Sequence, residues 1–282
     1  MKLIDYHIHC NYSPDNKNEI RDVIKHISEN NFFDACIVAH FEPSRFGKPG
    51  IFKEPNSIKP EQFDEYFKKV EKSNKEFGQN VKIGLEVEYH EEFEKVIGKY
   101  LKEYNFDFIL GSCHWIRDVI IASIPEDGAP LFKKYKPKEV SEFYFEKLKN
   151  AINSKLFDSM AHMDIIKKSA TPNYGSFPEG LYEKFMPEVA SLLIKNKVCF
   201  EVNTNPHAMP DKKSFYPSIN IIKRLYSEGV RNVTIGSDTH EIRRIGDRME
   251  EVINILAGIG FKNICTFNRR VIKPIAISKL SE

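Results

Sequence analysis

Two histidines separated by one residue, His7-Ile8-His9, open a series of imidazoles and carboxylates spread in a regular way along the chain. Alternate residues of an extended strand point to the same face, so His7 and His9 can bind one ion or two adjacent ones. Six of the nine histidines, His7, His9, His40, His114, His162 and His240, fall within or just beyond the last residues of short β-rich runs. Carboxylates share those ends: Asp5 and Asp15 near the first run, Glu86 and Glu88 on the third, Asp164 after the fifth and Asp238 after the seventh. A lone histidine at a strand end is ordinarily a satisfied structural residue. Six at equivalent places, with acids between them, make a ligand set. Imidazole and carboxylate without thiolate suit Zn²⁺, Fe²⁺ or Mn²⁺, and the supply exceeds what one ion needs, so two or three divalent ions are expected.

The elements that must position these groups follow from the apolar pattern. Strands are expected at 3–8, 35–39, 81–87, 106–111, 157–161, 198–202 and 233–236, with a late one at 263–267. Amphipathic stretches at 19–29, 61–76, 91–104, 137–154, 181–196, 218–228 and 245–256 read as helices between them. Strand–helix alternation repeated about seven times argues for a parallel sheet, open or closed. No Gly-rich phosphate loop follows the first strand, which disfavours a doubly wound nucleotide-binding fold. In a closed parallel barrel every strand C-terminus emerges on one face, so side chains distant in sequence can converge there. Two long connections, 41–59 and 115–136, carry Gly and Pro and read as functional lids. With no internal repeat or interdomain linker, 1–282 is expected to form one domain.

Composition narrows the partners. The 282 residues carry 42 Lys+Arg against 40 Asp+Glu, mixed along the chain rather than blocked, so no stripe for long nucleic acids is indicated. No apolar run is long enough to span a bilayer, and the chain enters a strand at once without a leader pattern. The five cysteines are widely spaced, odd in number and free of C-x-x-C, which points to reduced thiols in the cytoplasm.

Taken in order, Asp5-Tyr6-His7-Ile8-His9 with Ser13 and Asp15, His40, Gly84-Leu85-Glu86-Val87, Gly111-Ser112-Cys113-His114, Ala161-His162-Met163-Asp164, Glu201-Val202-Asn203 and Gly236-Ser237-Asp238-Thr239-His240 resemble the polymerase-and-histidinol-phosphatase superfamily, and most closely its stand-alone histidinol-phosphatase members. The resemblance implies an α/β fold, a distorted (β/α)₇ TIM-like barrel with the metal site at the C-terminal ends of the strands. It implies one ion on His7, His9, Glu86 and Asp238, a second bridged by Glu86 with His114 and His162, and a third on Asp15, His40 and His240. Many relatives carry His where this chain has Asp15, and the stretch Thr204-Asn205-Pro206-His207 departs from the wording common in the family.

The activity so implied is metal-dependent phosphomonoester hydrolysis of a small phosphorylated substrate, L-histidinol phosphate going to L-histidinol and phosphate. Attack by metal-activated hydroxide without a phosphoenzyme is expected. Asp15 or His240 is the candidate acid toward the leaving alkoxide. Arg45 and Arg117 on the two long connections, and Lys168 shortly after His162, are candidate phosphate clamps, because bidentate Arg suits phosphate. Glu42 and Asp164 are candidate partners for a substrate ammonium. Trp115 is read as a pocket wall or as core, His90 and His207 as supporting or surface residues, and His26 as structural.

Three rivals remain open. An amidohydrolase barrel also begins with H-x-H, but its bridging ligand is commonly a modified lysine on the fourth strand, where none stands here. Another phosphoesterase of the same superfamily, acting on oligonucleotides or phosphotyrosine, uses the same metals. A metal-binding scaffold without catalysis would show lost ligands, and none is missing.

Overall fold

The first apolar alternation forms a strand, β1 (Leu3–Ile8), and a helix, α1 (Ile20–Glu29), returns the chain to β2 (Phe32–Phe41) beside it. The computed structural model describes residues 1–13, 16–42, 57–205 and 214–281. The alternation continues through α2 (Phe63–Phe77), β3 (Lys82–Glu88), α3 (Glu94–Glu103) and β4 (Phe108–Ser112). After it come the short strands β5 (Trp115–Ile116) and β6 (Val119–Ile120), then the helices α4 (Pro125–Lys134) and α5 (Pro137–Ser154). The second half runs β7 (Ser159–Met160), α6 (Lys167–Tyr174), α7 (Met186–Asn196), β8 (Cys199–Asn203), α8 (Ile219–Ser227), β9 (Val233–Gly236), α9 (Met249–Ile259), β10 (Asn263–Asn268) and β11 (Val271–Ala276).

Seven strands form one parallel sheet in the order β1-β2-β3-β4-β7-β8-β9. The two ends approach each other: Ile8 bridges Thr239, and the His9 amide donates to the Thr239 carbonyl at 3.1 Å. The barrel is therefore nearly closed, and the seam lies beside the ligand-bearing residues. β3 is buried along its whole length, as expected of a parallel strand covered on both faces. Its register pairs His40 with Glu86, which brings the candidate ligands of β2 and β3 side by side.

The opposite end of the barrel is plugged by the antiparallel pair β10–β11. Tyr6 Oη donates to Asp34 Oδ2 at 2.8 Å and accepts the Phe267 amide at 2.9 Å, while Phe108 packs against both rings at about 5 Å. Arg270 grips the Asp158 carboxylate through Nε and Nη2 at 3.0–3.1 Å.

All seven barrel strands stand where the apolar pattern places them, within a few residues. The connection 115–136, expected to be a loop, instead holds the β5–β6 hairpin and α4, whose first turn starts at Pro125. The short α6 directly after the fifth barrel strand and the final strand β11 were also not legible. Residues 43–56 of the other long connection lie outside the described residues. Among those described, no helix is long and apolar enough to cross a membrane.

Tyr6→Phe keeps the ring but strips the hydroxyl that serves Asp34 and the Phe267 amide. It is expected to lower stability by about 1–3 kcal/mol in urea unfolding, the cost of leaving buried polar groups unpaired, with metal content unchanged.

Candidate metal centre

Glu86, in the middle of β3 and 1% exposed, is the hub of the site. Its two oxygens face different histidine groups. Oε1 lies 3.1 Å from His114 Nε2 and 3.0 Å from His162 Nε2, and those two nitrogens are 3.3 Å apart. Oε2 lies 3.4 Å from His7 Nε2 and 3.6 Å from His9 Nε2, themselves 3.0 Å apart, and 2.9 Å from His40 Nδ1. Asp238 Oδ1 closes the first group, 3.5 Å from His7 Nε2 and 3.4 Å from His9 Nε2. A third group joins His40 and His240, whose rings each stack against His9 with centroids 4.3 Å from it and 6.0 Å from each other.

This donor set fits cations. Two imidazole nitrogens held tetrahedrally at about 2.0–2.1 Å from one ion stand about 3.3–3.4 Å apart, close to both Nε2 pairs. His7 Nδ1 faces Glu201 Oε1 at 2.7 Å, which favours the proton on Nδ1 and leaves the Nε2 lone pair directed at the group. Glu86 Oε2, although buried, takes no hydrogen bond among the described residues. A buried carboxylate oxygen in that state is costly unless a cation compensates it.

The electrostatics follow. Burial opposes ionisation of Glu86, but His114, His7 and His40 outweigh it and hold the carboxyl well below its usual range. For Asp238 burial is likewise overcome, by His7 and His9. Burial and then its neighbours His240 and His40 push His9 down to about 3, so it is neutral at pH 7 and offers a lone pair. Burial works against charging His7, yet Glu201, Asp238 and Glu86 raise it well above the ordinary histidine value.

A second layer aims the ligands. Glu201 also accepts the His162 amide at 3.0 Å, Ser13 Oγ contacts His9 Nδ1 at 2.8 Å, and Asn203 Nδ2 donates to Asp238 Oδ2 at 3.1 Å. Asp5 accepts the amides of His7, Ser237 and Gly246 at 2.9–3.2 Å and so ties β1 to the turn after β9; burial is the main reason its pKa rises to about 6. His162 and Asp238 both take left-handed φ, 26° and 49°, a strained conformation that here serves to turn their side chains inward. In the sequence Glu201 stands only as part of the Glu201-Val202-Asn203 motif, with no role of its own. The signal that could have found it is its alternation with Asn203, which puts both on one face of β8.

Among the phosphate candidates, Lys168 lines a cavity of about 270 Å³ in front of the histidines. Its Nζ donates to the Ala122 carbonyl at 2.5 Å. Arg117 does not reach the cavity. It lies at the hairpin turn with its guanidinium 4.3 Å from the Phe143 ring and 5.0 Å from that of Tyr135, and it donates to Tyr135 Oη, because a planar cation gains more over two aromatic faces than in water. Arg45, Asp15 and His207 lie outside the described residues. Glu42 lines the cavity, whereas Asp164 is spent on Lys167 at 2.7 Å. Trp115 belongs to the core and His90 stands outside the cavity, 3.9 Å from Glu88. Glu88, which shares a strand face with Glu86, accepts Lys147 Nζ at 2.5 Å and the His114 amide at 2.6 Å, so it is engaged rather than idle.

Three histidine groups around a shared glutamate at the C-terminal ends of a seven-stranded parallel barrel define a barrel hydrolase with a multinuclear metal centre. The PHP domain family model matches residues 5–205, and the chain belongs to that family. It is 25% identical over 275 residues to a histidinol-phosphatase of Lactococcus lactis, covering 95% of each chain. The solved structure of histidinol phosphate phosphatase from Lactococcus lactis, in complex with zinc, L-histidinol and phosphate, superposes with a TM-score of 0.81 at 21% identity, covering 96% of this chain and 99% of that one. The fold also extends to a chain in an archaeal ribonuclease P, with a TM-score of 0.51 at 12% identity over 92% of this chain and 83% of that one. Fold alone therefore does not choose the substrate.

Glu86→Ala is expected to lose more than one equivalent of bound metal and nearly all activity while remaining folded, as read by metal analysis and circular dichroism. A Cβ at Gly236 would run into His7 and the Glu201 carboxylate, so Gly236→Ala should also displace that pair and weaken metal binding.

Proposed function

We propose that the chain is a metal-dependent phosphomonoesterase, a histidinol-phosphatase that hydrolyses L-histidinol phosphate to L-histidinol and phosphate. The observation that carries the reading is the Glu86 carboxylate with one oxygen turned to each of two histidine groups. That arrangement would suit two ions, which would stabilise the attacking and leaving oxygens of an in-line displacement at phosphorus. The likeness along nearly the whole chain to a Lactococcus lactis histidinol-phosphatase supports the choice of substrate.

In this reading His7, His9, Glu86 and Asp238 hold one ion, Glu86, His114 and His162 a second, and Asp15, His40 and His240 a third, with zinc, iron or manganese as the candidates. Such ions, when bound, polarise phosphoryl oxygens and bring the pKa of water down toward about 7. The chain's own groups do the rest. Lys168 places a positive charge at the cavity, where it draws a phosphoryl oxygen toward the histidines. Ile120, Ala122 and Ile165 form an apolar wall that excludes water from one side. Glu42 offers a carboxylate to a substrate ammonium, and whichever of His240, whose ring also lines the cavity, and Asp15 is not held by an ion gives a proton to the leaving alkoxide oxygen. Residues 1–282 act as one domain, in the cytoplasm, where five free and buried thiols stay reduced. The substrate is a small molecule, with neither long nucleic acid nor membrane as partner.

Exhaustive chelation should abolish turnover, and Zn²⁺, Mn²⁺ or Fe²⁺ should restore it; full activity in protein shown to be metal-free would overturn the reading. On one reconstituted preparation, kcat/KM for histidinol phosphate should exceed that for phosphotyrosine, p-nitrophenyl phosphate and a short DNA oligomer, because analogues leave the polar groups of the site unpaired. A faster oligomer or phosphotyrosine would move the substrate while leaving the metal centre intact. Lys168→Ala should raise KM for every phosphomonoester, whereas Glu42→Gln should penalise only the substrate with an ammonium group.

A further inference from the structure

Behind His114 lies an ion pair, its carboxylate buried and its lysine half-buried, that metal ligation does not account for. Glu88, 0% exposed at the end of β3, accepts Lys147 Nζ at 2.5 Å through Oε1 and the His114 backbone amide at 2.6 Å through Oε2. The same Oε2 stands 3.5 Å from His114 Nδ1. Lys147, from α5, also donates to the Trp115 carbonyl at 2.9 Å. The pair therefore grips His114 and Trp115 at the point where β4 gives way to the β5–β6 hairpin.

As a stabilising device this is a poor choice. Two charges taken out of water repay their desolvation only with very good geometry, and a well-packed apolar pair often serves stability better. As an aiming device it is well built. A carboxylate beside Nδ1 favours the proton there and leaves the Nε2 lone pair facing Glu86 and His162, at 3.1 and 3.3 Å. The amide bond fixes the backbone from which the ring hangs. Glu201 likewise faces the Nδ1 of His7, at 2.7 Å, but the amide it accepts is that of His162, and no lysine pairs with it among the described residues.

We propose that Glu88, held in place by Lys147, is a positioning residue for His114 and sets the affinity of the ion shared by Glu86, His114 and His162, without touching that ion. The proposal rests on the two-ion reading above and specifies which outer residues tune one of its ions. It follows that Glu88 acts selectively, on one ion and not on the pair.

The test is an equilibrium titration of the full-length, metal-stripped chain with Co²⁺, followed by the visible absorption of the bound ion, and with Zn²⁺ in competition. Glu88→Gln preserves size and an acceptor for the amide but removes the charge. Glu88→Gln/Lys147→Met removes both charges at once, so that no unpaired ion is left buried and folding is protected. In both variants the second ion should bind about 10–100-fold more weakly and with an altered Co²⁺ spectrum, while the first keeps its wild-type affinity. Turnover should fall in kcat at limiting metal and recover at excess metal. A folded double variant that binds both ions as the wild type does would overturn the proposal, and so would equal weakening of every ion. If the wild-type chain itself binds only one ion, the two-ion reading falls with it, a failure already visible before any variant is compared.

Discussion

Placing an ionised carboxylate at the centre of a barrel is the constraint around which this molecule is arranged. Glu86 is buried in a medium where an isolated charge is expensive, and among the described residues it takes no hydrogen bond at one of its oxygens. What stabilises it is a shell of five imidazoles, His7, His9, His40, His114 and His162, from β1, β2 and the ends of two further barrel strands. Imidazoles alone compensate a carboxylate only when protonated, and His9 is held neutral by its surroundings. Divalent ions would resolve the conflict, because lone pairs that repel one another in an empty site would become ligands with an ion between them.

The barrel serves that constraint. Parallel strands bring their C-terminal ends to one face, and the His40–Glu86 register and the β1–β9 seam place ligands from the first and last strands within reach. Asp5 spans the seam to the amides of Ser237 and Gly246 and also accepts the His7 amide on its own strand, so one carboxylate serves both the closure of the barrel and the backbone that carries His7. The opposite end is sealed by a hairpin anchored on Tyr6 and Arg270, which leaves the metal face as the open end. The amidohydrolase alternative fails at the same place: the shared acid belongs to β3, and β4 ends in Gly111 and Ser112 with no lysine.

Much of this was legible from residue order. Strand positions follow from apolar runs whose length and spacing are local properties, and all seven barrel strands lie where that pattern put them. The convergence of the described candidate ligands was legible too, because strand-end histidines recur at a topologically equivalent place. The departures share a physical cause. The hairpin and α4 within 115–136 are short and weakly periodic, and their pairing is decided by what they pack upon. The outward turn of Arg117 depends on Phe143, a residue 26 positions away whose ring the sequence does not announce as a neighbour.

The sequence by itself determined the element order, the chemical kind of the site and the identity of its histidines and shared glutamate, since these depend on side-chain type and on periods of two and 3.6 residues. Only the tertiary structure decided which oxygen of Glu86 faces which group, that Glu201 backs His7, and that Glu88 is tied to Lys147 and the His114 amide rather than ligating beside Glu86. Glu86 and Glu88 are indistinguishable by type and strand face. They differ because the neighbouring elements offer one of them a ring of imidazoles and the other a lysine, and the barrel alone sets those distances.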